Sequence, residues 1–139
     1  MAKIDAAEIW GLNYRLMMSA IAAASPGVAA LGVEAKELFV LAEIDAHPFP
    51  SELAEALSMP KATVTLYVKR MEAAKLLRRE IDAGDLRRHR LKLTPSGQKI
   101  ARAGMKLLAE AFEPYLKRLS AAEQLQLKTV LERMTALGA

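Results

Sequence analysis

The chain has 139 residues, enough for one domain with a sizeable core and too few for two independent ones. It has no cysteine, which excludes disulfides, thiolate catalysis, thiol redox sensing and cysteine-ligated zinc. Its net charge is +4 with a pI near 9.5, and the excess is concentrated: residues 61–92 carry ten basic and four acidic side chains, so the remainder is slightly acidic. Hydrophobic residues make up 53% and aromatics only 5%, a helical composition whose apolar share is generous for a small chain and suggests burial against a second subunit. No apolar run approaches the roughly 18 residues of a membrane span. The start, MAKIDAAEIWGL, has neither a basic leader region nor a cleavage site, so the expected location is the cytoplasm, with no membrane partner.

Asp5-Ala-Ala-Glu8 has capping-box spacing, and Ile9, Leu12, Leu16 and Ala20 follow at helical spacing beside Trp10, Tyr14, Met17 and Ile21. This first helix is expected to end in the loop SPGVAALG. A second helix is expected over 34–44, with Leu38, Phe39 and Leu41 on one buried face, and His47-Pro-Phe-Pro50 stops it. SELAEALSM reads as a short third helix, and Pro60, placed as a first helical residue, opens a fourth running to about Ala74. Two short helices joined this tightly form the helix-turn-helix pattern, whose second member enters the DNA major groove.

Beyond it, Leu77, Arg79 and Ile81 precede the turn sequence Asp82-Ala-Gly-Asp85. Then His89, Leu91 and Leu93 alternate with Arg88, Arg90 and Lys92. Period-two alternation around a Gly-Asp turn predicts a two-stranded hairpin with one apolar and one basic face. His89, Leu91 and Leu93 are expected inward, Arg90 and Lys92 outward. Thr94-Pro95 supplies the N-cap and first-turn proline of a long helix, with Ile100, Leu107, Leu108, Ala111, Phe112 and Tyr115 along its buried side and Pro114 as a candidate kink. Ser120-Ala-Ala-Glu123 is a second capping box, opening a last helix that carries Leu127, Val130, Leu131, Met134 and Leu137.

This order of elements carries a motif. Thr63-Val64-Thr65, then a basic-rich helix, then Asp85-Leu86-Arg87, then Leu93-Thr94-Pro95-Ser96-Gly97 resembles the MarR (multiple antibiotic resistance regulator) family of winged helix-turn-helix repressors. The resemblance implies a mostly α (α+β) fold: a winged helix-turn-helix with a two-stranded β-wing and long N- and C-terminal dimerisation helices. It makes 1–139 a single domain, with 1–32 and 98–139 dimerising and 33–97 binding DNA. It implies a homodimer acting as a sequence-specific regulator on a palindromic operator in double-stranded DNA. In that picture residues 60–74 read the major groove, Arg87 reaches the minor groove, and Asp85 orients it. The physical argument agrees, since a carboxylate two residues away holds a guanidinium fork and minor grooves favour arginine.

On the fourth helix, 100° per residue clusters Val64, Tyr67, Val68 and Met71 on one side. Opposite lie Ala62, Thr65, Leu66 and Lys69, flanked by Thr63 and Arg70. With Lys61 and with Arg88 and Arg90 of the hairpin, these are the candidate DNA-binding residues. The exposed side is small or hydroxylated near its start and basic further on, which suits base edges first and phosphates beyond. Three positions depart from the family. Leu66 stands where a basic residue is common, and either contacts the preceding helix or meets a thymine methyl. Lys75 replaces a glycine that ends the helix in a left-handed turn, and Pro60 replaces a capping serine.

Many members of the family release DNA when a small anionic or aromatic compound enters a crevice between the dimer helices and the DNA-binding lobe. Trp10, Tyr14, Met17 and His47, with Met18 and Phe49, are the candidates for such an effector site. The alternative assigns Trp10 and the methionines to core or interface and His47 to a surface loop. No phosphate loop, HExxH, GxSxG or ligand-spaced histidine pair occurs, so neither an enzyme, a metal site nor a cofactor is expected. The competing reading from another class is a winged helix used only for protein contacts.

Overall fold

The computed structural model describes residues 3–136. Six helices and one hairpin follow each other as α1 (Ala6–Ala30), α2 (Ala35–Glu43), α3 (Pro50–Leu57), α4 (Lys61–Ala73), β1 (Leu77–Asp82), β2 (Asp85–Leu93), α5 (Pro95–Leu116) and α6 (Ala121–Thr135). Leu137, expected on the last helix, lies outside the described residues, as do the extreme ends of the expected dimerisation parts.

Asp5 caps α1 by accepting from the backbone N–H of Ala7 at 3.0 Å and of Glu8 at 3.4 Å. The helix does not stop at Ser25-Pro26, as the sequence led us to expect, but continues to Ala30. An internal proline forfeits a backbone hydrogen bond and costs about 3 kcal/mol. Against that, Ala20, Ala24 and Val28 bury a stripe at four-residue spacing where α1 packs on α5, and the Ser25 hydroxyl donates to the Ile21 carbonyl at 2.7 Å. Tertiary burial overrides the local stop signal.

Glu34 and Glu37 cap α2 reciprocally. On α2 the fully buried residues are Leu38, Val40 and Leu41, while Phe39 is only half-buried. These join Leu53, Val64, Val68, Met71, Leu77 and Leu91 in one core beneath the helix-turn-helix. α5 crosses this lobe as well as α1. Two glycines on it permit close approach: a Cβ on Gly97 would lie 1.9 Å from the Leu76 carbonyl oxygen, and one on Gly104 would lie 2.4 Å from a Leu38 methyl. The side of α5 expected to be buried, from Ile100 to Tyr115, is half-buried within this chain.

The remaining apolar faces find no cover among the described residues. On α1, Ile9, Trp10, Leu12, Tyr14, Met17 and Met18 are exposed. α6, capped by the reciprocal Ser120 and Glu123 pair, buries no residue, and its Leu125, Val130, Leu131 and Met134 are exposed. No single helix among the described residues is long and apolar enough to cross a membrane.

Candidate nucleic-acid interface

α3 ends at Ser58, whose φ of 51° is left-handed. The Met59 N–H returns to the Ala54 carbonyl at 3.0 Å. Pro60 then serves as the N-cap of α4 rather than its first helical residue. Its carbonyl accepts from the N–H of Thr63 at 3.0 Å and of Val64 at 3.1 Å, with no side-chain cap. Val64, Tyr67, Val68 and Met71 are buried, as the 100° geometry requires, and this fixes which face α4 turns outward. That face presents Lys61, Ala62, Thr65, Leu66, Lys69 and Arg70 exposed, with Thr63 half-buried at its edge. Leu66 is 50% exposed.

Lys75 takes the left-handed turn itself, at φ 62°. The Lys75 N–H donates to the Glu72 carbonyl and the Leu76 N–H to that of Met71, closing the helix as a glycine would. The departure from glycine therefore leaves the geometry in place and adds strain. Thr94 locks the turn from the other side, its hydroxyl donating to the Lys75 carbonyl at 2.7 Å and its N–H to that of Leu76 at 3.0 Å.

The hairpin pairs Leu77 with Leu93, Arg79 with Leu91 and Ile81 with His89. The apolar face is buried only at the base: Leu77, Leu91 and Leu93 pack on the core, while Ile81 is 64% exposed and His89 is exposed too. The alternation is correct, but beyond Leu91 the apolar face is no longer buried: Ile81 and His89 stay in solvent. Near the tip, pairing jumps from Ile81–His89 to Asp82–Asp85, so Leu86, Arg87 and Arg88 have no counterparts on β1. Such a bulge re-aims side chains.

At this tip the Asp85 carboxylate accepts from the Arg87 backbone N–H at 3.0 Å and from its Nε at 3.3 Å. The Arg87 N–H first, and then its guanidinium, hold the Asp85 carboxyl below the usual aspartate range. The Arg87 side chain is 92% exposed, so it is oriented at its root and free at its head. Arg90 is exposed. Arg88 instead turns back, its guanidinium 3.6 Å from the Phe49 ring centroid and 3.5 Å from Glu52. Phe49 and Glu52 were not singled out for this contact, because they lie far from Arg88 in sequence and no local pattern links them.

Several wing cations are already paired: Arg78 with Glu80 at 3.0 Å, Arg79 with Glu72 at 3.3 Å, and Lys92 with Glu80 at 4.0 Å. Among the described residues Lys61, Lys69, Arg70 and Arg90 make no ion pair. These four lie on α4 and the wing, the two elements a duplex would meet, and keep their charge unshared there. A crevice of about 340 Å³ separates them, lined by Ser51, Lys61, Thr65 and Arg88 among others.

The expected effector residues are not gathered into one cavity. Trp10 and Tyr14 stand together on the exposed α1 face, ring centroids 6.2 Å apart. Met17 lines an apolar cleft of about 350 Å³ with Leu16, Phe39, Leu108, Phe112 and Leu131, apart from both. His47 lies beyond α2, 3.9 Å from Glu43.

Helix-turn-helix, wing and flanking long helices together define a winged helix-turn-helix protein. Residues 31–88 match the sequence profile of the MarR family. It is 44% identical over 72 residues to the transcriptional regulator HosA of Escherichia coli O157:H7, a match that covers 52% of this chain and 53% of HosA. The HosA of Escherichia coli O127:H6 is 43% identical over the same length. The match thus spans about half the length of these relatives, which are named as regulators and not as enzymes. Among solved structures, a Staphylococcus aureus MepR–DNA complex superimposes with a TM-score of 0.74 at 24% identity, over 96% of this chain and 98% of that one. A MarR-family transcriptional regulator from Rhodococcus sp. RHA1 gives 0.81 at 14% identity, over the same shares. At these identities the likeness establishes the fold.

Proposed function

We propose that this protein is a homodimeric, sequence-specific DNA-binding transcriptional regulator, acting in the cytoplasm as a repressor. The observation that carries the reading is the joint presentation of two surfaces. One is the outward face of α4, with Lys61, Ala62, Thr63, Thr65 and Leu66 toward base edges and Lys69 and Arg70 toward phosphates. The other is the wing tip, where Asp85 steers an exposed Arg87 and Arg90 adds charge. HosA is named a transcriptional regulator, and MepR is named in complex with DNA.

The dimer reading rests on the open apolar faces of α1 and α6, too extensive to leave in water on a small chain. A second copy supplies the cover, and two-fold symmetry then places two recognition helices on a palindrome with half-sites roughly one helical turn apart. The cleft beside Met17 is the candidate seat for a small aromatic effector that releases DNA.

Selection of bound duplexes from a random pool at fixed salt tests this reading. A recovered palindrome with two half-sites supports it. A pool that shows no enrichment, or a protein that sediments as a stable monomer at micromolar concentration, overturns it.

A further inference from the structure

Outside the core, wing and helix-turn-helix meet at one small cluster. The Arg88 guanidinium lies 3.6 Å from the centroid of the Phe49 ring, and its Nη2 donates to Glu52 Oε1 at 3.5 Å. Phe49 is the N-cap residue of α3, and Glu52 lies in its first turn. Just along β2, the Leu91 N–H donates to the Pro48 carbonyl at 2.8 Å. Residues 48–52 are thereby joined to 88–91 by a backbone bond, an ion pair and a stacked cation.

We propose that Arg88 is a positioning residue: it clamps the wing to the start of α3, and so sets the angle between the wing tip and the outward face of α4. The inference deepens the DNA-binding reading and rests on it. A two-stranded ribbon is marginal without something to pack on, and here the core supports only Leu77, Leu91 and Leu93. Past Leu91, with Ile81 and His89 in solvent, the angle of the tip is set by whatever ties the ribbon sideways. Arg88 provides that tie because the bulge at 86–88 frees it from the ribbon's alternation.

An exposed ion pair alone contributes little, and Arg88 and Glu52 side chains are 45% and 48% exposed. The ring contact separates this cluster from an ordinary surface pair, since a planar guanidinium stacks on an aromatic face and an ammonium does not match that geometry. Reaching out to a phosphate would forfeit both the ring and the carboxylate. Arg87, exposed at its head and held at its root, has no such tie, so the adjacent arginines divide the work: one reaches, the other aims.

The test measures binding of the full-length protein to a duplex recovered from the random pool, across a salt series, with thermal midpoints checked in parallel. Phe49→Leu should weaken operator binding about 2- to 5-fold, the size of one surface cation–π contact, without changing the slope of log affinity against log salt. Phe49→Tyr, which keeps the ring face, should bind as wild type. Arg88→Lys should lose about as much as Phe49→Leu, and the double variant no more than either alone. Lys69→Ala, the control for a phosphate contact, should flatten the slope by about one. The clamp is overturned if Phe49→Leu and Phe49→Tyr bind alike, if the two losses add, or if Arg88→Ala flattens the slope as Lys69→Ala does. Glu52→Gln, at an exposed site tolerant of change, gives an independent sign: a several-fold gain in affinity would mean that Arg88 works as a phosphate contact freed from a competitor. Failure to recover any duplex overturns the DNA-binding reading itself, whereas tight wild-type binding with unresponsive variants overturns the clamp alone.

Discussion

Gly97→Ala is the most exacting perturbation of this fold. The added Cβ would stand 1.9 Å from the Leu76 carbonyl oxygen and 2.9 Å from its carbon, whereas carbon and carbonyl oxygen ordinarily meet no closer than about 3.3 Å. The obstacle is backbone, and it is pinned from several directions. Leu76 accepts from the Thr94 N–H at 3.0 Å, donates to Met71 at 2.9 Å, and follows the left-handed turn at Lys75. Relief therefore means displacing the start of α5 or breaking one of these bonds. Overpacking costs about 1–3 kcal/mol and a lost hydrogen bond about 1 kcal/mol, while alanine returns at most about 1 kcal/mol of helix propensity. The expected loss is about 1–4 kcal/mol. In urea, at an m-value of about 2 kcal/mol/M, that lowers the midpoint by about 0.5–2 M. The titration belongs at one protein concentration, because association stabilises by mass action. Gly104→Ala meets side-chain atoms of Leu38, the methyls at 2.4 and 2.7 Å and Cγ at 3.1 Å, which can shift by rotation about side-chain bonds as a pinned carbonyl cannot, so its loss should be smaller, about 1–2 kcal/mol. A Gly97→Ala midpoint equal to wild type, or a larger loss at Gly104, would refute the reasoning.

Arg87→Ala should cost about 1–3 kcal/mol of operator affinity with sedimentation unchanged from wild type; normal affinity in titrations would count against the wing. Lys75→Gly should stabilise the fold by about 0.5–1 kcal/mol, because relief of about 1–2 kcal/mol of left-handed strain exceeds the extra freedom of the unfolded glycine; a lowered urea midpoint would show that the turn is unstrained. Replacing thymines of the selected half-site by deoxyuridine should weaken wild type about 3- to 4-fold per contacted methyl and leave Leu66→Ala indifferent, and equal sensitivity in both proteins would remove Leu66 from the reading face. Asp85 titrates below the usual 3.8 when folded, so the order it gives the wing tip is fully present above that value and is lost as pH falls through the lower, folded pKa. An Arg87 amide shift with its NMR midpoint at or above 3.8 would contradict this.

How far the sequence could be read depended on whether local pattern or tertiary contact decided each feature. The faces of α4 were legible because a thirteen-residue helix held at both ends has one period, and four apolar residues at that period leave no second way to bury it. The stop at Ser25-Pro26 was misread because proline is a local signal, while the packing of Ala20, Ala24 and Val28 on α5 is not visible locally. The hairpin shows the same division in a smaller space. Alternation states which side chains share a face, so Leu91 and His89 were correctly grouped, but whether that face meets anything depends on how far the ribbon overhangs the core.

The bulge at 86–88 is where this matters for the proposed function. It breaks the alternation from which Arg88 was placed on the outward basic face with Arg90, and it delivers Arg88 to Phe49 and Glu52, 36 residues earlier in the case of Glu52. A count of basic residues sums Arg87, Arg88 and Arg90 as one patch, yet their surroundings give them different chemistry. Arg87 has a carboxylate at its root and solvent at its head; Arg88 has a ring and a carboxylate at its head; Arg90 is exposed. Charge density identifies which surface a polyanion would approach, whereas the partner each guanidinium already holds determines what that cation has left to give.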